Sequence, residues 1–574
     1  MRALFINRLR IVAVLVLLTG VLLIVRLYML QVVHGVQFRD EAEGQYTVQN
    51  SDRFDRGSIF FTARDGSLIS AATLDNGFTL VLVPRTVVNA SETYSELSKY
   101  VELESKEFFE KAAKKDDPHE ELLRRMPTAA GYVLIDKDIP GVRLERERWR
   151  LYPGNTLAAH TIGFVGYGNS DSLTGQYGLE RSYDKALTKP DTGLYVNFFA
   201  DIFTNIRTHI FSNGTQPGAN VITGIEPTTQ AFFEDLLAQY QEKWNAREAG
   251  AIVLDPRTGE IIVFASLPSF NPNALFQSDS EHFSNPLVEK VYEFGSIVKP
   301  LTIAAGIDAG AITPETTYDD RGFAVYDGSR ISNFDGKGRG VVPIQEILSQ
   351  SLNTGVAFTV EKLGTDTFRR YFDMFGIREK TGIDLPNEAE PLTANLDSPR
   401  TIEYITASFG QGIAVTPIGM ARSLATLANK GIVPEPHIAK ALQYPGGFDK
   451  TLGAGPGKRA ITGESAEMIT EMLVKVVDTA LRGGTEKVPE LSIAAKTGTA
   501  QIAKKDERGY YDDRYLHSFF GYFPAYDAKF LVFFYSVEPQ GARYASETWT
   551  APFMESVRFL TTYYEIVPDR APAE

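Results

Sequence analysis

Residues 249–268 read "AGAIVLDPRTGEIIVFASLP": two β-branched, apolar runs separated by Asp255-Pro256-Arg257-Thr258-Gly259. Asp, Pro and Gly between two such runs are hairpin chemistry, since they pre-set or permit the backbone angles of a tight reversal. The stretch predicts two antiparallel strands. Beyond it, apolar residues recur at helical spacing over 299–309, 343–350, 356–376, 401–429 and 463–481. Strand-like runs return in "LSIAAKTGTAQI" (491–502), "HSFFGYF" (517–523) and "KFLVFFYSV" (529–537), the last two joined by "PAYDA". Two strands before a helical block and three after it predict one five-stranded antiparallel sheet packed on helices, an α+β fold. Before about Gly218 the texture is mixed, with a strand in "GFTLVLV" (77–83), a charged helical stretch from about Ser91 to Arg125, and many turns. The closing "VPDRAPAE" (567–574) reads as disordered.

The chain has 574 residues, 43% of them hydrophobic, enough for two or three domains with buried cores. A net charge of −14 argues against nucleic acid as a partner, because phosphate binding needs a basic face. With no cysteine there are no disulfides, thiolate ligands or cysteine nucleophile, and the seven histidines are scattered without a metal-binding pair. Near the amino terminus, "RIVAVLVLLTGVLLIVRLYMLQVV" (10–33) carries Arg26 as its only charge after the first residue. Its length suits a membrane span, and Arg2, Arg8 and Arg10 before it place the short tail in the cytoplasm and the bulk of the chain outside. Arg26 either snorkels to the interface or faces another transmembrane helix.

The stretch "YEFGSIVKPLTIAAG" (292–306) sets Ser296 and Lys299 at i and i+3, on one helix face if the helix begins at Gly295. No histidine is close at hand, so the lysine is either a snorkelling side chain or itself the base that activates the serine. A base must be neutral, and the apolar flank offers the burial that lowers a lysine's pKa. An S-x-x-K pair also occurs at Ser182/Lys185, S-x-N pairs at Ser269/Asn271 and Ser351/Asn353, and K-T-G runs at 380–382 and 496–498. Ser351 and Asn353 lie between two helical patterns, where a turn can aim both into a cleft. Lys496 lies in a strand whose edge can present Lys496, Thr497, Gly498 and Thr499 to an extended peptide. Taken singly, Ser296 reads as a helix start, Asn353 as a turn former, Lys496 as a solvated strand residue and His517 as structural.

Together, S-x-x-K, S-x-N and K-T-G in this order resemble the motif triplet of penicillin-binding transpeptidases and serine β-lactamases. Further stretches resemble class B penicillin-binding proteins over about residues 1–560. These are "RGSIFFTARDG" (56–66), "RLYPGNTLAAHTIGFVG" (150–166), "GQYGLERSYD" (175–184) and "TASFGQGIAVTPIGMA" (406–421). Phe294, Ala495 and Phe61-Thr62 depart from that class's usual residues. The resemblance implies a cytoplasmic tail (1–10), a transmembrane anchor (11–33), a pedestal resembling a dimerisation domain (34–215), a transpeptidase domain (216–565) and a disordered tail (566–574).

It also implies roles. Ser296 would be the acylated nucleophile and Lys299 its base, Ser351 a proton relay, and Asn353 the holder of the substrate amide. Lys496, Thr497, Gly498 and Thr499 would bind the peptide's terminal carboxylate, and the N–H groups of Ser296 and Thr499 would form the oxyanion hole. The implied enzyme is a single-pass, outward-facing peptidoglycan D,D-transpeptidase that needs no cofactor. It would act on stem peptides ending in D-Ala-D-Ala, bind β-lactams and partner a SEDS-family glycan polymerase in the division or elongation machinery. The "GQYGLE" stretch and the short tail favour division. The alternatives are a β-lactamase-type hydrolase, for which no deacylating glutamate motif is found, and a catalytically idle scaffold or receptor.

Overall fold

The 249–268 stretch forms the expected hairpin in the computed structural model, Glu248–Leu254 paired antiparallel with Ile261–Leu267. Its turn is closed by Gly259 N donating to Asp255 O at 2.8 Å, with Gly259 at φ +81°. The structure describes residues 17–20, 55–167, 173–188 and 218–571, apart from 446, 454, 456, 505, 506 and 508. The predicted anchor, 11–33, lies outside the described residues except for 17–20, which are helical. Among the described residues no helix is long and apolar enough to cross a membrane.

The hairpin is one edge of a five-stranded antiparallel sheet in the order Ala494–Ala503, Tyr510–Phe523, Phe530–Val537, Glu248–Leu254, Ile261–Leu267. Every residue of Glu248–Leu254 and of Phe530–Val537 is buried. These central strands therefore read as unbroken apolar runs instead of alternating, because both faces of the sheet are covered. On one face lie Pro227–Trp244 and Thr550–Tyr563, which share a core of Phe233, Leu237, Trp549, Phe553 and Leu560 with the sheet. On the other lie Pro417–Ala428 and Gly463–Lys475, with Lys299–Asp308 behind them. Residues 299–307 are all buried, as expected of a helix that is apolar all round.

Other expectations are corrected. The helical pattern 356–376 is two helices, Asn353–Leu363 and Thr365–Met374, broken at Gly364 with φ +79°. The pattern 401–429 is likewise split into Thr401–Ala407 and Pro417–Ala428. The charged stretch from Ser91 to Arg125 holds two short helices, Ala90–Leu97 and Ser105–Ala112, and then a strand, Glu120–Pro127. The strand expected at 77–83 runs over Leu68–Leu82. The tail expected to be disordered is held as far as Arg570: the Asp569 carboxylate accepts from Ser492 N at 2.7 Å and from Ser492 Oγ, and Arg570 pairs with Asp478 at 2.9 Å.

A second, seven-stranded sheet runs Phe448–Thr451, Ala439–Tyr444, Asn220–Thr223, Ile59–Thr62, Leu68–Leu82, Glu120–Pro127, with Val142–Leu151 also paired to Leu68–Leu82. Three of its strands come from beyond residue 215, so the sheet crosses the boundary expected between pedestal and catalytic domain. Three of the pedestal motifs meet at one carboxylate: Glu180 accepts from Arg56 Nε and Arg150 Nε at 2.6 Å each, all three side chains buried. Phe61, one of the departures, fills the core, and Thr62 Oγ1 donates to Thr223 O at 2.6 Å.

Candidate active site

Ser296 sits in a 3-10 turn, Gly295–Val298, that passes into the α-helix Lys299–Asp308. Residues i and i+3 eclipse one another in a 3-10 turn, which puts Ser296 and Lys299 on one face. Pro300 falls in the first α-helical turn, where its missing N–H costs nothing. Gly295 takes φ +66°, and a Cβ there would lie 2.9 Å from Thr499 O, so the serine turn is pressed onto the K-T-G strand. Gly498 answers it from the strand side: a Cβ there would lie 2.6 Å from Phe294 O. Ser518 Oγ ties the two together, donating to Phe294 O at 2.7 Å. Phe294, a departure from the class pattern, is buried edge-on against Phe533.

Lys299 is fully buried, and its Nζ donates to Ser351 O at 2.6 Å and Ser351 Oγ at 3.1 Å. Lys496 Nζ reaches the same Oγ at 3.3 Å and Thr497 O at 2.9 Å. Two amines thus converge on one hydroxyl. Burial lowers the pKa of Lys299 well below its usual value, and the neighbouring Lys496 lowers it further. Burial brings Lys496 down to about 7. Ser351 is held in the left-handed region at φ +56°, a strain of roughly 1–2 kcal/mol that its surroundings must offset. Asn353 opens the helix Asn353–Leu363 and donates from Nδ2 to Ser332 O at 2.9 Å. Thr499 Oγ1 accepts from Ala545 N at 3.0 Å, which leaves the hydroxyl proton available to a ligand.

Ser296, Ser351, Asn353, Lys496, Thr497 and Thr499 line one cleft of about 720 Å³, and the buried Lys299 is bonded to Ser351 of that lining. The duplicate motifs do other work. Lys380 pairs with Glu390 and Thr381 bonds Glu388, closing a turn. Ser182 and Lys185 are exposed on two short helices of the pedestal. His517 is buried in the strand behind Thr499, bonded to Thr548 Oγ1 and Arg543 O, with its pKa lowered to about 4 by burial. Among the described residues no group of His, Asp and Glu is gathered to hold a metal ion.

Sequence reasoning missed Asp320. Its buried carboxylate accepts from Gly322 N, Asn333 Nδ2, Arg339 N and Thr354 Oγ1 at 2.8–3.1 Å. It thereby fastens the cleft's outer loop to the residue after Asn353. "YDDRG" reads as a surface turn, and only the tertiary fold buries it.

The family described as penicillin binding protein transpeptidase domain matches residues 249–557, and the penicillin-binding protein dimerisation domain matches 54–221. The chain belongs to the penicillin-binding protein transpeptidase family. With a dimerisation domain ahead of the transpeptidase domain, it is a class B penicillin-binding protein. It is 27% identical to stage V sporulation protein D of Bacillus subtilis over 554 residues, 94% of this chain and 84% of that protein. It is 30% identical to peptidoglycan D,D-transpeptidase MrdA of Acinetobacter baumannii over 63% of this chain and 58% of the relative. With peptidoglycan D,D-transpeptidase FtsI of Escherichia coli it shares 28% identity over 75% of this chain and 70% of the relative. The fold matches the crystal structure of penicillin-binding protein 2X from Streptococcus thermophilus with a TM-score of 0.72, at 20% identity over 90% of this chain and 80% of that one. Penicillin-binding protein 3 of Mycobacterium tuberculosis, crystallised with aztreonam, matches with a TM-score of 0.67 at 21% identity, over 91% of this chain and 99% of that one.

Proposed function

We propose that this class B penicillin-binding protein cross-links peptidoglycan as a D,D-transpeptidase through an acyl-enzyme on Ser296, and that β-lactams acylate the same serine. The observation that carries the reading is the convergence of Lys299 and Lys496 on Ser351 Oγ, in the cleft that Ser296 lines. Lys299, whose pKa burial lowers, takes the Ser296 proton in its neutral form as Oγ attacks the carbonyl between the two D-alanines. The N–H groups of Ser296 and Thr499 receive the oxyanion, each donor contributing about 3 kcal/mol in the transition state. Ser351 passes a proton to the departing D-alanine, Asn353 holds the donor's amide, and Lys496, Thr497 and Thr499 hold its terminal carboxylate, with Gly498 allowing the close approach. The ester keeps the energy of the broken peptide bond until an acceptor amine attacks.

Transfer is favoured over β-lactamase-type hydrolysis because the described residues lining the cleft include no Asp or Glu to activate a deacylating water. The Arg-flanked 11–33 segment supports a single-pass anchor with a cytoplasmic tail at 1–10 and the pedestal and catalytic domains outside, beside a SEDS-family polymerase in the membrane. "GQYGLE" supports a division-type member, which mid-cell localisation of a fluorescent fusion tests. The reaction itself is tested with a fluorescent penicillin. We expect a label that persists on the native chain and is lost in Ser296→Ala. Loss of label within seconds, with turnover of the drug, would make the protein a hydrolase, and no label on a folded chain would make it an idle scaffold.

A further inference from the structure

The charge of the cleft opposes that of the chain. The chain carries −14 overall, yet the described cleft lining includes Arg330, Arg339, Arg482, Arg543 and Lys496 and no acidic residue. Two of these guanidiniums are compensated from outside: Arg339 pairs with Asp335 at 2.8 Å, and Arg482 approaches Glu486 at 3.8 Å. Among the described residues, Arg330 and Arg543 have no carboxylate within ion-pair distance. Arg330 Nε donates to Ser332 Oγ at 3.3 Å and its guanidinium lies 4.0 Å over the Phe323 ring, while that of Arg543 lies 5.5 Å from the Tyr544 ring. A guanidinium laid on an aromatic face keeps its N–H edge free for a bidentate anion.

The two arginines belong to different walls. Arg330 is on the strand Ser329–Ser332, whose Ser332 O accepts from Asn353. Arg543 precedes by two residues Ala545, whose N–H donates to Thr499 Oγ1. Between the walls, Phe334 and Tyr544 meet edge to face at 5.8 Å. The reaction proposed above engages one substrate carboxylate, already taken by Lys496, Thr497 and Thr499. Arg330 and Arg543 are therefore positive charge beyond what that carboxylate needs.

We infer that Arg330 and Arg543 select donors that carry at least one further free carboxylate on the residues preceding D-alanyl-D-alanine. The substrate class is an acidic stem peptide, as opposed to one whose side-chain carboxyls are amidated. The inference rests on the transpeptidase reading, and its test separates the two.

Two penicillins with side chains of equal length are compared, one ending in a carboxylate (a glutaryl amide) and the other in the matching carboxamide. Their second-order rate constants for acylating Ser296 in the intact chain are measured. The acid is expected to react about three- to tenfold faster, and the ratio to shrink when NaCl is raised from about 50 to about 500 mM, because exposed ion pairs are screened. Arg330→Gln combined with Arg543→Gln brings the ratio to about one, and the paired Lys substitutions restore part of it, since lysine keeps the charge without the planar fork. Equal rates on the native chain, a ratio indifferent to salt, or a preference that survives the double Gln substitution at unchanged melting temperature overturns the inference and leaves the transpeptidase reading standing. Acylation by neither compound overturns that reading, and this inference with it.

Discussion

Lys299 and Lys496 share one hydroxyl, and their titration is therefore linked. Lys299 is depressed by burial first and by the charge of Lys496 second. In the proposed mechanism acylation needs Lys299 neutral and, for carboxylate binding, Lys496 charged, so the free enzyme's pH profile should rise through the depressed Lys299 pKa and fall as Lys496 loses its proton near pH 7. Lys496→Gln removes a neighbouring positive charge, which raises the Lys299 pKa. The acidic limb of the profile then moves to higher pH, the alkaline limb disappears, and the peak rate falls with the lost carboxylate contact. Measuring penicillin acylation against pH checks this, and an unmoved acidic limb would show that the amines do not interact. Lys299→Ala should slow acylation by about 10²–10⁴-fold, the loss expected when a general base is removed. The sequence carried every one of these residues, because the reactive side chains are fixed by short local motifs. It did not carry the meeting of both lysines on Ser351, because those contacts join elements 52 and 145 residues apart.

At the level of elements, the central strands were legible because burial on both faces makes their runs continuously apolar. The strand Glu120–Pro127 was not: it is an edge strand whose "EELLRRMP" sequence is charged, so neither alternation nor an apolar run marks it. The breaks between paired helices were hidden in turn residues inside an otherwise helical period, Gly364 in one case and the "FGQG" turn (409–412) in the other. Asp320 shows what such turns conceal, since its carboxylate joins the outer loop of the cleft to the start of the Asn353–Leu363 helix. Asp320→Ala would strand the donors of Asn333, Thr354, Gly322 and Arg339 in a buried site, at a cost of about 2–4 kcal/mol. Because these groups hold Asn353 and Ser332, acylation should fall about tenfold in the fraction that remains folded. Thermal unfolding and acylation measured on the same preparation check both parts, and a normal acylation rate would show that the loop does not position Asn353.

The unit that begins at Asp55 is bound together across the boundary that the sequence suggested near residue 215. Ile59–Thr62 pairs in parallel with Asn220–Thr223, which pairs in turn with Ala439–Tyr444. Tyr183 OH donates to Asp384 at 2.9 Å, and the same carboxylate accepts from Ile438 N and Ala439 N. The described residues of Asp55–Glu574 form one compact unit. The expectation is a single cooperative unfolding transition, and the three tryptophans allow a direct test. Trp149 reports on the seven-stranded sheet through Val142–Leu151, and Trp549, stacked on Tyr240 at 3.7 Å, reports on the core beside the five-stranded sheet. Two single-tryptophan proteins, one keeping Trp149 and the other Trp549, should unfold in urea at coincident midpoints with equal slopes, as two-state behaviour requires. Glu180→Ala should then move both midpoints together. It leaves Arg56 and Arg150 buried without their shared counter-charge, a loss of about 3–5 kcal/mol for a broken buried ion pair. A shift seen by Trp149 alone would mean that the sheet shared across residue 215 does not couple the two halves. The pedestal would then be an independent domain in the energetic sense as well as in the sequence.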